Sequence, residues 1–393
     1  MMIHSTYSPC RIQNGLLEID RKFHVGMELY TQRIGTPIVV VAPRLGSDGI
    51  LMDAIRIPVS ELPYQVEVVQ CDSTYRLDHR DLPRLRQLVE EADLLYGTGF
   101  GLETLAIQLG KPFIPVLEYN LRTQLKIARL PVRGKIRRFV RTVKVIGRFL
   151  AEVRRLRRAQ AIHCNGYPIY HQTRTFHDRC LLYLDSRMSD SMVISRERLE
   201  ARLATLLSGR RPRLIFSGRY ESMKGACDVV EVGLALHRQG VDFELDLFGK
   251  GELAPTMRSR VEEARASDRI RVRDAIPYPE LVERSHESDL FVCCHVQDDP
   301  SCTYLEASGS GLVIMGYDNK MWRNFANQAR NGHVSRMGRP EELAQAIKSI
   351  LAKPEEMATR ARRSREFALE HYFEREFSRR IDSIQEFLLE STA

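Results

Sequence analysis

Two doubly wound α/β domains, each a parallel sheet covered by helices, are what the sequence predicts, on three observations. The chain has 393 residues, a length that suggests two or three domains rather than one. Short β-branched runs alternate with helical patterns of about 10 to 20 residues, the order that builds parallel α/β layers. A polar stretch from Ser195 to Pro212, containing Ser208-Gly209-Arg210-Arg211-Pro212, interrupts this alternation, and strand logic restarts at Arg213.

In the first half the predicted strands are Pro37–Ala42, Tyr64–Gln70, Asp93–Tyr96, Pro112–Leu117 and Gln160–Asn165. In the second they are Arg213–Gly218, Phe243–Gly249, Arg269–Arg273, Asp289–Cys294 and Leu312–Tyr317. The intervening segments are amphipathic; Cys227–Arg238, for example, places Val229, Val230, Leu234 and Leu236 on its apolar side. The boundary is placed near residue 195, giving domains 1–195 and 196–370. The last segment, His371 to Thr392, reads as one amphipathic helix carrying Phe373, Phe377, Ile381, Ile384 and Phe387. It either ends its own domain or, in the reading adopted, crosses back as residues 371–393 to join the first.

Composition excludes several classes. With 43% hydrophobic and 28% charged residues, 24 Gly and 17 Pro, the chain is neither disordered, collagenous nor coiled-coil. No run approaches the roughly 18 apolar residues of a spanning helix, which argues against an integral membrane protein. Met1-Met2-Ile3-His4-Ser5 lacks the charged start and apolar core of a signal peptide. Eight cysteines without a Cys-x-x-Cys pair read as reduced thiols of a cytoplasmic protein. The net charge of +8 is local in origin: Leu121 to Arg158 holds 14 Lys and Arg against one acid, Glu152, and the remaining chain is net negative.

The second half carries the sharpest chemistry. Phe216-Ser217-Gly218-Arg219-Tyr220-Glu221-Ser222-Met223-Lys224-Gly225 lies between a strand and a helix, at the sheet edge where α/β folds bind ligands. Arg219 and Lys224 put two cations in this turn, and Gly225 opens a helix whose N-terminus favours anions, an arrangement suited to a diphosphate. The plainer alternative is a pair of solvated surface cations. Next, Gln297-Asp298-Asp299-Pro300-Ser301-Cys302-Thr303-Tyr304-Leu305-Glu306-Ala307 follows the strand Asp289–Cys294. With Asp298 in the loop and Glu306 in the first helical turns, both can face one pocket, and the N–H groups around Cys302 and Thr303 would bind phosphate oxygens. Glu306 would accept from ribose hydroxyls and Asp298 from sugar hydroxyls; the alternative is an N-cap aspartate plus an exposed glutamate. Finally, Leu247-Phe248-Gly249-Lys250-Gly251-Glu252 places glycines at a strand end, where the backbone can approach a ligand closely.

In order and spacing, the three motifs together resemble the donor domain of glycosyltransferase family 4, over about Arg213 to Glu370. That resemblance implies a GT-B fold of two Rossmann-like domains facing a cleft, and a retaining enzyme that uses a nucleotide-diphosphate sugar. It also implies roles. Arg219 and Lys224 hold the diphosphate with Gly249 and the Ser301, Cys302 and Thr303 segment, Glu306 holds the ribose, and Asp298 the transferred sugar. Asp298 stands where the family usually has Glu, one methylene longer, and Asp299 is a neighbouring candidate.

The first half is less definite. Tyr96-Gly97-Thr98-Gly99-Phe100-Gly101 has the wrong spacing for a dinucleotide fingerprint and reads as a loop against which sugar or acceptor packs. Gly15, in Asn14-Gly15-Leu16-Leu17, is assigned to the glycine-bearing loop that approaches the donor phosphates in the family, the alternative being a plain turn. Glu118, in Pro115-Val116-Leu117-Glu118, stands where many relatives carry a histidine near the reacting sugar. It is taken as a catalytic candidate, with His163 as the alternative. Between them lies a predicted basic helix, with Ile136, Phe139, Val143, Ile146, Leu150 and Val153 on one face. Lys135, Arg137, Arg138, Arg141, Lys144 and Arg148 surround that face. It either packs on its own domain, lies on anionic lipid or binds nucleic acid; membrane contact is the reading adopted.

The sequence thus predicts a metal-independent glycosyltransferase without cofactor, catalysing through Asp298, Glu118, Arg219 and Lys224. It would move a sugar to a saccharide or lipid-linked acceptor at the cytoplasmic membrane face, in polysaccharide or envelope glycan synthesis. The alternatives are a nucleotide-sugar epimerase or hydrolase, and a non-catalytic lipid- or nucleic-acid-binding protein.

Overall fold

The computed structural model describes residues 1–390 except 47, 48, 50, 52, 73, 74, 98, 130–133 and 299. The chain divides into two compact units, Met1–Tyr183 with Glu376–Ala393, and Leu184–Arg375. Residues 184–195 go with the second unit because their backbone is tied there. The Ile194 N–H donates to the Gly309 carbonyl at 2.8 Å and the Phe373 N–H to the Met188 carbonyl at 2.9 Å. Among the described residues no helix is long and apolar enough to cross a membrane.

In the first unit the strands are β1 (Met2–Ser5), β2 (Arg11–Gln13), β3 (Leu16–Asp20), β4 (Ile38–Pro43), β5 (Ala54–Pro58), β6 (Gln65–Val69), β7 (Leu94–Gly97), β8 (Phe113–Leu117), β9 (Ile162–Asn165) and β10 (Cys180–Tyr183). Seven of them form one parallel sheet ordered β10-β9-β8-β7-β1-β4-β6. β1 and β4 are buried along their whole length; β4 is the unbroken apolar run that a strand covered on both faces needs, whereas β1 also buries His4 and Ser5. Ile3, Val39, Val41, Leu95, Phe113 and Ile162 pack there with Leu85, Leu88 and Val89 of the helix Leu82–Glu91.

A small antiparallel sheet, β2-β3-β5, was not predicted. Its hairpin turns at Asn14-Gly15, both with positive φ (51° and 73°), the signature of a two-residue hairpin loop. Gly15 therefore sits in the turn between two antiparallel strands.

The terminal helix Phe373–Glu390 begins after Tyr372 turns to an extended conformation (ψ 166°) and ends the helix Pro354–His371. From Glu376 onward it belongs to the first unit. Phe377, Ile381 and Ile384 are buried; the Phe377 ring lies edge-on to Tyr30 at 5.4 Å, and Arg33 pairs with Asp382 at 2.5 Å.

The second unit holds β11 (Arg213–Ser217), β12 (Glu244–Phe248), β13 (Ile270–Arg273), β14 (Leu290–Cys293), β15 (Val313–Tyr317) and β16 (Gly332–Ser335). They form a wholly parallel sheet ordered β13-β12-β11-β14-β15-β16. The helix Ala226–Arg238 buries Val229, Val230, Leu234 and Leu236 against it, the apolar side read from its sequence. Both units are thus Rossmann-like α/β layers.

Candidate functional site

In the second unit the chain winds outward from β11 through β12 to β13, then restarts on the other side at β14. Neighbouring β11 and β14 therefore send their following loops in opposite directions, and a crevice opens at their carboxyl ends, where such sheets bind ligands. The two constellations singled out in the sequence are these two loops.

After β11 the chain makes a short 3-10 turn, Ser222–Lys224, and enters the helix Ala226–Arg238 through Gly225. Gly225 has φ +61°, and a Cβ there would lie 2.0 Å from the Cys294 carbonyl oxygen. Only glycine fits a left-handed corner pressed on a neighbouring backbone. The Val296 N–H donates to the Met223 carbonyl at 3.1 Å, joining the loops of β11 and β14. Arg219 is half exposed and pairs with Glu221 at 3.1 Å.

His295 records where the cations stand. It is buried at the start of the β14 loop, its ring edge-on to Tyr304 at 5.7 Å. Burial first, then the Lys224 and Arg219 charges, hold its pKa well below the usual range, so the imidazole is neutral. Arg219 and Lys224 are thus both within electrostatic reach of one buried ring.

Three residues on, Asp298 is buried, and its Oδ1 accepts the Lys320 N–H at 2.7 Å. It thus satisfies the first amide of the helix Lys320–Ala329, whose N-cap is Asn319. Asp299 lies outside the described residues. Ser301 precedes the helix Cys302–Gly309 and its Oγ is 2.7 Å from Thr303 Oγ1. Cys302 and Thr303 form the first turn of that helix, its positive end.

Glu306 is buried one turn further along. Its Oε1 lies 3.5 Å from Arg187 Nε, and the Arg187 guanidinium rests 4.7 Å from the centre of the Tyr278 ring. Burial opposes the Arg187 charge, but Glu306, Cys302 and Tyr278 together outweigh it and the pKa stands above the ordinary value. Burial, then Glu306, pushes the Tyr278 phenol upward. A recess lined by Ser217, Tyr278, Phe291 and Glu306 connects this carboxylate to the end of β11, where the Arg219 loop begins. Arg187, Tyr278 and His295 were not anticipated. Arg187 sits in a polar stretch with no motif around it, and only the fold brings it to Glu306.

Gly249, expected to let a backbone approach a ligand, is needed for a different approach. A Cβ there would lie 2.0 Å from the Gly218 carbonyl oxygen, so the residue lets the loops after β12 and β11 touch.

The remaining candidates belong to the first unit. Gly15 is in the β2–β3 hairpin. Glu118 is exposed just after β8, and Asn165 Nδ2 donates to it at 3.5 Å. His163 is fully buried, with Nδ1 3.2 Å from Tyr96 Oη and Nε2 3.1 Å from Ser383 Oγ. Burial and the Arg380 charge lower its pKa to about 3. Both nitrogens are used in the interior, so His163 is a structural group and not a base. Of the predicted loop 97–101, Phe100 meets the Tyr7 ring at 5.8 Å.

The basic helix is Lys135–Leu156. Most of its predicted apolar stripe is exposed: Ile136 is 80% exposed, Phe139 69%, Val143 53% and Leu150 55%, while Val153 is half-buried. Leu156 is its buried anchor. Lys135, Arg137, Arg138, Arg141, Lys144 and Arg148 are exposed around the same stripe.

Comparison with known proteins follows this geometry. Residues 197–367 match the family model described as glycosyl transferases group 1. A curated relative, the GtfA subunit of the UDP-N-acetylglucosamine–peptide N-acetylglucosaminyltransferase of Streptococcus gordonii, is 28% identical over 122 residues, 31% of this chain. The match spans about a quarter of that relative's length (24%). Anabaena HepE, solved in complex with UDP-glucose, superposes with a TM-score of 0.64 at 12% identity, covering 98% of this chain and 99% of its own. Sucrose-phosphate synthase of Thermosynechococcus elongatus gives 0.66 at 13% identity, covering 99% of both. The chain shares the α/β fold of these structures.

Proposed function

We infer that the chain is a glycosyltransferase that takes its sugar from a nucleotide-diphosphate donor bound in the second unit. The observation that carries this reading is the pairing of two loops at the β11–β14 switch point. One brings the Arg219 and Lys224 cations and the other brings the amino end of the helix Cys302–Gly309, inside the segment that matches glycosyl transferases group 1. The UDP-glucose in HepE, a protein of the same fold, supports a nucleotide sugar as the donor class.

Glycosyl transfer builds positive charge on the sugar ring while negative charge collects on the departing diphosphate. In this reading Arg219 and Lys224, with the amides at Cys302 and Thr303 beside Ser301, stabilise that diphosphate without reorganising. In this reading Glu306 accepts hydrogen bonds from the ribose and Asp298 contacts the transferred sugar. Gly249 and Gly15 shape the approach to the donor, and Glu118 acts near the reacting carbon. Departure of the leaving group on the face from which the acceptor enters gives retention of configuration, the outcome implied by the resemblance to family 4.

The acceptor is a saccharide or lipid-linked saccharide presented at a membrane, as in polysaccharide or envelope glycan assembly at the cytoplasmic face. Its support is the helix Lys135–Leu156, which turns an apolar stripe and its cations outward together. An interfacial helix on anionic lipid has this pattern, each well-placed basic residue contributing about 1 kcal/mol.

The test is a thermal-shift screen against UDP-, GDP-, ADP- and dTDP-sugars. A donor at a hundred times its Kd stabilises its binding unit by about 2.7 kcal/mol. Stabilisation by one nucleotide series, lost in Lys224→Ala, is expected; no shift with any sugar nucleotide would end the reading.

A further inference from the structure

The Glu306 carboxylate does not stand alone. Arg187, from the segment that opens the second unit, reaches it at 3.5 Å, and the same guanidinium lies 4.7 Å from the Tyr278 ring centre. Glu306, 11% exposed in its side chain, lines the recess with Tyr278, and Arg187, 39% exposed, reaches it from beside that wall. We propose that Arg187 is a positioning residue for nucleotide recognition: braced on Tyr278, it fixes the Glu306 carboxylate in the orientation that accepts the donor's ribose hydroxyls.

The inference rests on the reading of Glu306 given under Proposed function. Its physical basis is the acceptor capacity of a carboxylate. Two oxygens offer about four lone-pair directions; a guanidinium held beside Oε1 at ion-pair distance biases the last torsion electrostatically and leaves those directions for hydroxyls in the recess. A glutamate without such a partner samples a broad, roughly two-fold torsion, and each hydroxyl contact must then order it. Arginine suits the task because its planar group pairs and stacks at once, which lysine cannot do. The brace is supplied by the backbone, since Tyr278 opens the helix Tyr278–His286 after β13. Three separate parts of the second unit thereby meet on one acceptor.

Isothermal titration of the full chain with UDP, GDP and ADP, each beside its 2′-deoxy counterpart, tests this. The readout is the ratio of ribo to deoxy affinity, which a merely structural role would leave untouched. Wild type should prefer the ribonucleotide by about tenfold or more, the range expected when a site built for a hydroxyl meets an analogue lacking it. Glu306→Gln and Arg187→Met should both reduce that preference to about twofold, and Tyr278→Leu, which removes the brace and leaves the arginine, should do the same. A preference kept in Arg187→Met and Tyr278→Leu but lost in Glu306→Gln would overturn the proposal and leave the ribose role of Glu306 standing. If Arg187→Met does not fold, the Tyr278→Leu result decides. A preference kept in Glu306→Gln, or absent from the wild type, would overturn both.

Discussion

Acid should unfold the first unit through two histidines. His4 and His163 are buried, and burial followed by the Arg380 charge lowers each pKa to about 3 from an ordinary value near 6.5. A group whose folded pKa is depressed takes up its proton on unfolding. Stability contributed by the neutral form is therefore complete above about pH 6.5 and drains away as pH falls towards 3. Each histidine changes the unfolding free energy by about 1.4 kcal/mol per pH unit in that window. Between pH 6.5 and 5 one histidine removes about 2 kcal/mol and the pair about 4, against a typical total of about 5–15 kcal/mol. Glu103 and Glu152, whose pKa values burial raises, act in the opposite sense, so the comparison needs a variant that shares them. His163→Gln can keep polar contacts to Tyr96 and Ser383 without titrating. The stability gap between wild type and His163→Gln should move by about 2 kcal/mol in favour of the variant from pH 6.5 to 5, about 6 °C in Tm for a unit of this size. Hydrogen exchange of the β1, β7 and β9 amides across that range reads it locally. Parallel pH profiles for the two proteins would refute the reasoning.

Three further outcomes follow from the same geometry. Lys224→Ala and Arg219→Ala should each lower turnover at least about tenfold, since each removes a charged contact to the leaving group; rates near wild type in both would defeat the assignment. Phe139→Asp or Ile136→Asp, at positions 69% and 80% exposed, should leave the melting temperature unchanged and at least halve recovery on anionic vesicles in flotation. Equal recovery of wild type on anionic and neutral vesicles would count against the membrane reading. Gly225→Ala should destabilise the second unit by more than about 2 kcal/mol, because a left-handed alanine costs roughly 1–2 kcal/mol before any clash. Gly240→Ala, also left-handed (φ +68°) but with open space around it, should cost about 1 kcal/mol. Equal losses in chemical denaturation would show that the close approach to Cys294 is not the constraint.

What the sequence revealed and what it hid divide along physical lines. The parallel strands at Ile38–Pro43, Leu290–Cys293 and Val313–Tyr317 were legible because a strand buried on both faces must be an unbroken apolar run. The switch-point loops were legible because cations, a helix start and a corner glycine fall together in sequence at Arg219–Gly225. β2, β3 and β5 were not legible: three- to five-residue strands with half-exposed faces carry too little pattern. The periodicity of the basic helix was read correctly, but periodicity names an apolar face without saying what covers it, and here Ile136 and Phe139 face outward. Arg187 and Tyr278 meet Glu306 only through the fold, across 119 and 28 positions of chain. His163 looked like an accessible strand-end residue until Ser383, far along the chain, was seen to close over it.

The most direct measurement is the affinity of the best-shifting nucleoside diphosphate for the wild-type chain and for Lys224→Ala, by titration calorimetry at matched ionic strength. Binding in the wild type that weakens at least about tenfold in the variant, with the fold intact by circular dichroism, is the predicted result. Equal affinity in the two proteins would place the diphosphate away from the β11–β14 edge and contradict the account.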